Sequence, residues 1–217
     1  CVTSIGACNV PVDEWELDIV ASGSQKGYMI PPGLSFISVS EKAWQASEKS
    51  NLPKFYLNLK SYRKSLASNS NPYTPAVNLI FALDESLKMM KDEGLENIFK
   101  RHNRHKLAMS NAARTLGLKL FAEENHLSPS ITAIKTEGMD AEIFRKEIKQ
   151  KFDILLAGGQ DNLKGKIFRV GHLGYVNDRD IISVISAIGS ILLEKQKITY
   201  QQMGDALNTA SKYLKLC

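Results

Sequence analysis

The sequence predicts an α/β protein in two parts, a strand-rich beginning and an α+β remainder, joined by long helices near the middle. Two strand-like apolar runs, residues 18–21 and 34–40, lie in the first part. Apolar residues at helical spacing then span residues 75–94 and 95–116, and Gly117 is expected to end the second of these helices. Short strands alternate with helices after this glycine, which indicates a second, smaller unit.

Capping side chains mark three helix starts, at Ser40, at Asp140 and at Asn177 or Asp178. The helix that Asp140 starts is expected to continue to Phe152. We expect it to turn three apolar side chains inward: Ile143, Phe144 and Ile148. Four short apolar runs are typical of strands in the second part: residues 118–121, 130–134, 154–157 and 167–171.

Two further stretches complete the predicted fold. Residues 49–73 are rich in polar residues and predict a long surface connection. Residues 198–217 predict one final helix. The pair Gly158-Gly159 has the composition of a phosphate-binding nest, but a turn beside a strand is the favoured interpretation.

Composition excludes several classes of protein. The chain has 217 residues and 24.1 kDa, with 43% hydrophobic and 24% charged residues, which is typical of a globular protein. A membrane-spanning protein is excluded because no stretch approaches the roughly 18 consecutive apolar residues that a spanning helix needs. The net charge of +5 suggests nucleic acid, but no run of five basic residues occurs, so we expect no nucleic-acid partner.

The densest basic stretch, residues 100–106, is interpreted as a solvated face of a helix. His102 and His105 are spaced to share one helical face. Because no third ligand lies nearby in the sequence, we predict no metal site there.

Three cysteines, Cys1, Cys8 and Cys217, are compatible with a reducing, cytoplasmic location and indicate no disulfide framework. They are too scattered for the clustered thiolates of an iron–sulfur or nickel–iron site. Cys8 is expected to be a small buried residue. The chain opens on Cys1 rather than Met, and we expect it to be part of a longer protein.

The segment from Ser22 to Gly33 carries the most chemical information. Lys26 follows a strand, lies among small residues and precedes the rigid pair Pro31-Pro32. Small residues allow a bulky cofactor to approach the backbone, and a lysine held there can form a Schiff base with a carbonyl compound. From the spacing alone, an ordinary surface lysine remains the alternative and is the better supported one.

Four separated motifs, in this order, resemble those of the class V aminotransferases: Ser22–Lys26 with Pro31-Pro32-Gly33, Asn71–Pro75, Glu93–Asn97 and Phe168–Gly174. The resemblance extends from Cys1 to about Leu193. It is strongest to the alanine–glyoxylate and serine–glyoxylate branch, which also includes cyanobacterial proteins named as soluble hydrogenase small subunits. These are fold-type I enzymes that depend on pyridoxal 5'-phosphate.

The resemblance implies a division of the chain. Residues 1–75 would be the closing part of a large mixed-sheet domain that binds the cofactor. Residues 76–100 would form a connecting helix, and residues 101–197 a small α+β C-terminal domain. Residues 198–217 would be a helical tail outside the resemblance.

It also implies roles for individual residues. Lys26 would form the Schiff base with pyridoxal 5'-phosphate and then move the substrate's proton. Gln25 would contact the cofactor phosphate, and Thr74 would reach a phosphate across the interface of a homodimer with shared active sites. Arg169 would bind the substrate carboxylate through its guanidinium fork. Without the resemblance, a strand-edge cation paired with an acid would be the better interpretation of Arg169.

Two more contacts are implied less directly. Val2 would pack on the cofactor ring, and Asn71 stands where some relatives have a tyrosine at the phosphate. The aspartate that faces the pyridine nitrogen in the family would fall just before Cys1. We therefore expect this chain alone to be inactive, because half of the cofactor site precedes it.

The resemblance implies transamination between a small amino acid (alanine or serine) and an oxo acid such as glyoxylate. The alternatives are an accessory, hydrogenase-type subunit and an inactive fragment that lacks half of the cofactor site. An amino acid and an oxo acid would be its partners, with no nucleic acid and no membrane.

Overall fold

Two antiparallel sheets organise the chain, one of two strands and one of four. The computed structural model describes residues 1–215. In the first sheet, β1 (Ile19–Gly23) pairs with β2 (Ser35–Val39), and Ala21 lies opposite Ile37. Both strands lie where the apolar runs predict them.

Helix α1 (Glu41–Glu48) begins as predicted, because the Ser40 hydroxyl accepts a hydrogen bond from the amide of Ala43 at 3.1 Å. The surface connection predicted over residues 49–73 contains one helix that its composition does not predict. Helix α2 (Leu59–Ala67) lies inside it, capped by the Asn58 side chain. This helix buries none of its residues. Its sequence therefore lacks the buried apolar stripe from which a helix is usually predicted.

Two long helices follow, α3 (Val77–Glu93) and α4 (Leu95–Thr115). They are separated by Gly94, whose φ of 81° lies in the left-handed region that favours glycine. Gly117, with φ of 77°, follows the end of α4 as predicted. No described helix is long and apolar enough to cross a membrane.

The second sheet has four strands: β3 (Lys119–Leu120), β4 (Ile131–Lys135), β5 (Ala157–Gly158) and β6 (Ile167–Gly171). Their order is β3-β4-β6-β5, with every neighbouring pair antiparallel. Three helices lie between or after these strands: α5 (Ala141–Phe152), α6 (Asp178–Glu194) and α7 (Tyr200–Ser211). The final helix lies in the stretch predicted for it, although residues 216 and 217 of that stretch lie outside the described residues.

The main hydrophobic core lies between helices α4 to α7 and one face of the four-stranded sheet. Phe144 of α5 stacks on Phe168 of β6, with ring centroids 5.1 Å apart, and Ile148 is fully buried beside them. The prediction that Ile143 also faces inward is wrong, since its side chain is 59% exposed. Residue 143 lies one helical position away from the buried stripe that contains Phe144 and Ile148, roughly 100° around the helix.

The sequence offers two candidate N-caps for α6, Asn177 and Asp178, and the structure shows which of them caps the helix. Asn177 is the N-cap, and its side chain and that of Asp180 form a capping box. Asp178 is instead buried, where it accepts hydrogen bonds from Arg104 of α4 and from the amide of Lys215. Its carboxylate thereby joins α4, α6 and the residues after α7.

Candidate active site

Lys26 lies in a tight turn immediately after β1. Its amide donates to the carbonyl of Gly23 at 3.2 Å, and its own carbonyl accepts from the amide of Met29 at 3.0 Å. The side chain is half-buried and forms no ion pair or hydrogen bond with any residue that the structure describes. The turn therefore fixes the backbone of Lys26 while its amine stays available.

Ser24 fixes this turn to the proline-rich loop that follows it. The fully buried hydroxyl donates to the carbonyl of Pro31 at 2.8 Å and accepts from the amide of Leu34 at 3.2 Å. Because both partners are backbone groups, the bonds connect two loop segments without adding a bulky side chain. The predicted rigidity of this segment thus rests on Ser24 as well as on the prolines.

Two glycines bring the first residues of the chain against the Lys26 turn. A Cβ added to Gly27 would collide with the carbonyl oxygen of Ile5 and would lie 2.9 Å from the Cα of Gly6. Gly27 therefore admits no other residue without movement of the backbone. Val2 belongs to this packed segment, but its own side chain is 46% exposed.

Arg169 lies on β6, opposite Ala133 on one side and Ala157 on the other. It points away from the core, because the side chains on either side of it in the strand, Phe168 and Val170, are the buried ones. Its Nε donates to the carbonyl of Gly158 at 2.8 Å. No acid within the described residues pairs with it, so its two terminal nitrogens remain free to bind a planar anion.

The loop after β6 brings the strand of Arg169 against the Lys26 turn. Gly174, with φ of 84°, lies in this loop. A Cβ added to it would lie 3.2 Å from the Cγ of Met29 and 3.6 Å from the carbonyl oxygen of Lys26. Residues far apart in the sequence thus meet backbone to backbone at this point.

Helix α4 holds Gly174 from the other side through two adjacent side chains. Nη1 of Arg101 donates to the carbonyl of Gly174 at 2.7 Å, and the amide of Gly174 donates to Nε2 of His102 at 3.2 Å. Burial lowers the pKa of His102 to about 4, so its ring is neutral and can accept this bond near pH 7.

The interpretation of residues 100–106 as a solvated face is therefore wrong for three of its members. Arg101, His102 and His105 are buried. The sequence carries a signal that could have revealed this, because His102 and His105 continue the helical spacing of two buried apolar residues: Ile98 and Met109.

The remaining predicted cofactor residues are exposed. Gln25 extends its side chain back over Gly23. Asn71 lines a separate hollow beside Trp44, and neither Asn71 nor Thr74 forms a hydrogen bond with the Lys26 turn among the described residues. Their roles remain predictions.

The residues present fit pyridoxal 5'-phosphate in their chemistry. A primary amine without a described partner, on Lys26, suits an aldehyde, and a half-free guanidinium, on Arg169, suits a carboxylate.

Other candidate sites have structural explanations. Gly158 belongs to β5, and Gly159 lies in a turn too tight for a side chain, since an added Cβ would collide with the carbonyl of Leu163. Cys8 is half-buried, and burial raises the pKa of its thiol. Within residues 1–215, no three His, Cys, Asp or Glu side chains are grouped to hold a metal ion, and Cys217 lies outside that range.

Comparison with known proteins identifies the family. The model of the family described as "Aminotransferase class-V" matches residues 1–207. The expectation that the resemblance ends near Leu193 is therefore wrong, because the match continues into residues 198–207. The chain is 60% identical over 193 residues to the soluble hydrogenase 42 kDa subunit of Anabaena cylindrica, covering 89% of this chain and 50% of that protein. It is 34% identical over 222 residues to the serine–glyoxylate aminotransferase of Methylorubrum extorquens, covering 99% and 54%.

A solved structure is similar over nearly the whole chain. The ureidoglycine–glyoxylate aminotransferase of Bacillus subtilis superposes with a TM-score of 0.89 at 29% identity, covering 98% of this chain and 56% of that one. The likeness confirms the predicted fold class, the α/β architecture of fold-type I transferases that depend on pyridoxal phosphate. This chain spans about half the length of the curated relatives it matches. It belongs to the class V aminotransferase family.

Proposed function

We propose that the protein containing this chain transfers an amino group from a small amino acid, alanine or serine, to an oxo acid such as glyoxylate. The cofactor would be pyridoxal 5'-phosphate. One observation carries the proposal. The amine of Lys26 and the two terminal nitrogens of Arg169 lack partners among the described residues, and the loop after β6 packs against the Lys26 turn. Family membership and the serine–glyoxylate relative support the same reaction.

The proposed roles follow from the chemistry of these two side chains. Lys26 would hold the cofactor through its Nζ and then move a proton at the substrate's Cα. Arg169 would orient the substrate by gripping its carboxylate with the two free nitrogens, while the bond from Nε to Gly158 fixes the plane of the fork. When bound, pyridoxal phosphate supplies the electron sink that makes loss of that proton feasible.

Further residues complete the proposed site. Gln25 and Asn71 would contact the cofactor phosphate, Val2 would pack on the ring, and Thr74 would reach a phosphate of the second subunit in a homodimer. We also propose the division at residues 1–75, 76–100, 101–197 and 198–217 as a large-domain part, a connecting helix, a small domain and a tail. Because this chain spans half of its relatives' length, the proposal concerns the full-length protein.

Replacement of Lys26 tests the cofactor role. In the full-length protein, Lys26→Ala should abolish transamination and remove the visible absorbance band of bound cofactor, because no amine remains to hold it. Borohydride reduction followed by peptide mass spectrometry should locate the adduct on Lys26 in the unmodified protein. Lys42→Ala is the matched control, since Lys42 is an exposed lysine paired with Asp18. A reducible adduct that persists in Lys26→Ala would show the assignment to be wrong.

Replacement of Arg169 tests the carboxylate grip. Arg169→Lys keeps the charge but loses the fork, so the KM for the amino acid should rise about 10- to 100-fold with little change in cofactor affinity. Arg145→Lys is the control, because the Nε of Arg145 also donates to a backbone carbonyl, that of Leu156. Equal losses in cofactor and substrate affinity would contradict the role.

The names of two close relatives favour a second candidate, an accessory subunit of a hydrogenase. Metal analysis of the purified full-length protein separates the two. Stoichiometric iron or nickel would favour the hydrogenase role, whereas a cofactor adduct on Lys26 together with transamination would favour the first.

A further inference from the structure

We propose that Arg101 and His102 of α4 are positioning residues for the active site: by gripping both backbone polar groups of Gly174 they hold the strand of Arg169 against the Lys26 turn. The inference rests on the proposed function for its catalytic consequence. Its geometry stands on the contacts of Gly174 alone. We call Glu93, Arg101 and His102 the Gly174 clamp.

The clamp forms hydrogen bonds with both backbone polar groups of Gly174. The carbonyl of Gly174 accepts from Nη1 of Arg101 at 2.7 Å, and its amide donates to Nε2 of His102 at 3.2 Å. The same Nη1 also donates to the carbonyl of Val176 at 3.1 Å. Two adjacent side chains of one helix thus fix the position and the orientation of the loop at Gly174.

The side chains of Arg101 and His102 are each fixed by further hydrogen bonds. The Nε and Nη2 of Arg101 donate to the two carboxylate oxygens of Glu93 at 2.7 and 2.8 Å. The Nδ1 of His102 donates to the carbonyl of Ile98 at 2.8 Å, which fixes the tautomer whose Nε2 accepts from Gly174. Both side chains are therefore preorganised, so little side-chain freedom remains to be lost when the loop docks.

The Lys26 turn lies on the side of Gly174 that faces away from α4. Gly27 and Met29 of the turn line one small gap together with Arg101, His102 and Gly174. Met29 adopts a positive φ of 60°, which is uncommon for a residue with a side chain. Its Cγ is the closest atom to the position of a Cβ on Gly174. A shift of the loop at Gly174 is therefore transmitted to the backbone of Lys26.

The consequence concerns the relative position of two functional groups. Arg169 lies on β6, and the clamped loop follows directly after this strand. Lys26 lies on the turn that the loop contacts. A guanidinium that holds the carboxylate and an amine that moves a proton must keep a fixed separation, and a misplacement of about 1 Å can cost roughly 100-fold in rate. The clamp acts on that separation without touching the substrate.

Variants of His102 test this in the full-length protein. His102→Leu removes the acceptor for the Gly174 amide, whereas His102→Gln retains one in the side-chain oxygen. Arg101→Lys is a milder second variant that keeps the charge and loses the multidentate grip. The matched control is His105→Gln, because His105 is a fully buried histidine of the same helix whose Nε2 bonds to Asp178 and not to Gly174.

Three readouts are needed: hydrogen–deuterium exchange of peptides 172–176 and 26–30, the absorbance band of bound cofactor, and kcat and KM for the amino acid. His102→Leu should speed exchange in both peptides, shift the cofactor band and lower kcat/KM about tenfold. His102→Gln should restore most of this loss. His105→Gln should lower thermal stability while exchange in peptide 26–30 and kcat/KM stay within about twofold of the unmodified protein.

Three results would overturn the inference. The first is faster exchange at 172–176 with no change at 26–30, and the second is equal effects of His102→Leu and His105→Gln on kcat/KM. The third is unchanged kcat/KM in both His102→Leu and Arg101→Lys. A different result would separate the two proposals. If both peptides respond but the unmodified protein carries no cofactor adduct on Lys26, the proposed function fails and the coupling through Gly174 stands.

Discussion

Residues 1–94 and residues 95–215 differ in how they are stabilised. In the first region the buried apolar side chains are few: Ala7, Val20, Ile30 and Met90. The second contains a continuous core between four helices and a four-stranded sheet. Many large apolar side chains of the first region are exposed, among them Trp15, Phe55, Leu57 and Phe81. Within this half-length chain the second region therefore has a core of its own, whereas the first buries few apolar side chains and meets the second at a close approach such as that of Gly174 to Met29.

The strongest test of this difference is to separate the regions. Residues 95–215 expressed alone should unfold cooperatively on heating, because their core is complete within that range. Residues 1–94 alone should show no cooperative transition, since they bury too little apolar surface to offset the loss of chain entropy. Circular dichroism at increasing temperature measures both. Cooperative unfolding of residues 1–94 would contradict the comparison.

The second-largest effect on stability is expected from a core substitution in the second region. Phe144→Ala removes a fully buried ring that stacks on Phe168, and it should lower the free energy of unfolding by about 3–5 kcal/mol. The neighbouring Ile143 is 59% exposed, so Ile143→Ala should cost less than about 0.5 kcal/mol. Urea titration of both variants measures the two costs. Similar costs would show that the core boundary across α5 is misplaced.

Acid should destabilise the second region specifically, because all four histidines of the chain lie in it. Burial lowers the pKa of His102 and of His172 from 6.5 to about 4. The unfolded chain therefore binds more protons than the folded one between these values, and stability falls as the pH drops through that window. Each of these two histidines should contribute a loss on the order of 3 kcal/mol.

Thermal unfolding measured from pH 7 down to pH 4 checks this expectation. His172→Gln should flatten the pH dependence, since one of the three buried histidines is removed. His126→Gln is the control, because the His126 side chain is 75% exposed and not buried. An unaltered slope in His172→Gln would argue against a buried, neutral ring at that position.

The smallest effect is expected within the first region. Ser24→Ala removes the hydroxyl that bonds Pro31 and Leu34 and should cost about 1–2 kcal/mol, mainly by leaving the Leu34 amide unpaired. Amide exchange at Leu34 should rise with little change in the core of the second region. Ser35→Ala is the control, because Ser35 is exposed and its hydroxyl has no partner among the described residues.

Local signals predicted most of the secondary structure. Ser40, Asp140 and Asn177 start helices because the bonds that cap a helix involve residues only two or three positions away. The exposure of Ile143 and the burial of His102 do not follow from composition, because both depend on which helical face meets the core. The helical spacing of buried neighbours is the signal that predicts them. Helix α2 was missed because it lies on the surface and buries nothing.

The candidate site was predicted less by pattern than by resemblance. Spacing alone favoured a surface lysine at Lys26 and an ion-paired cation at Arg169. In the structure, neither has an ion-pair partner among the described residues, which is the information that spacing lacks. Local sequence patterns cannot predict the contact between Gly174 and the Lys26 turn, because it joins segments that are far apart in the chain.

That contact has a consequence for the order of folding. The packing of Gly27 on Ile5 closes a loop of about 20 residues, whereas the packing of Gly174 on the Lys26 turn closes one of about 150. The larger loop costs roughly 2 kcal/mol more in closure entropy if the intervening chain is unstructured. The turn should therefore form early with its near neighbour, and the junction with Gly174 should close only after the core behind β6 has shortened the path between them.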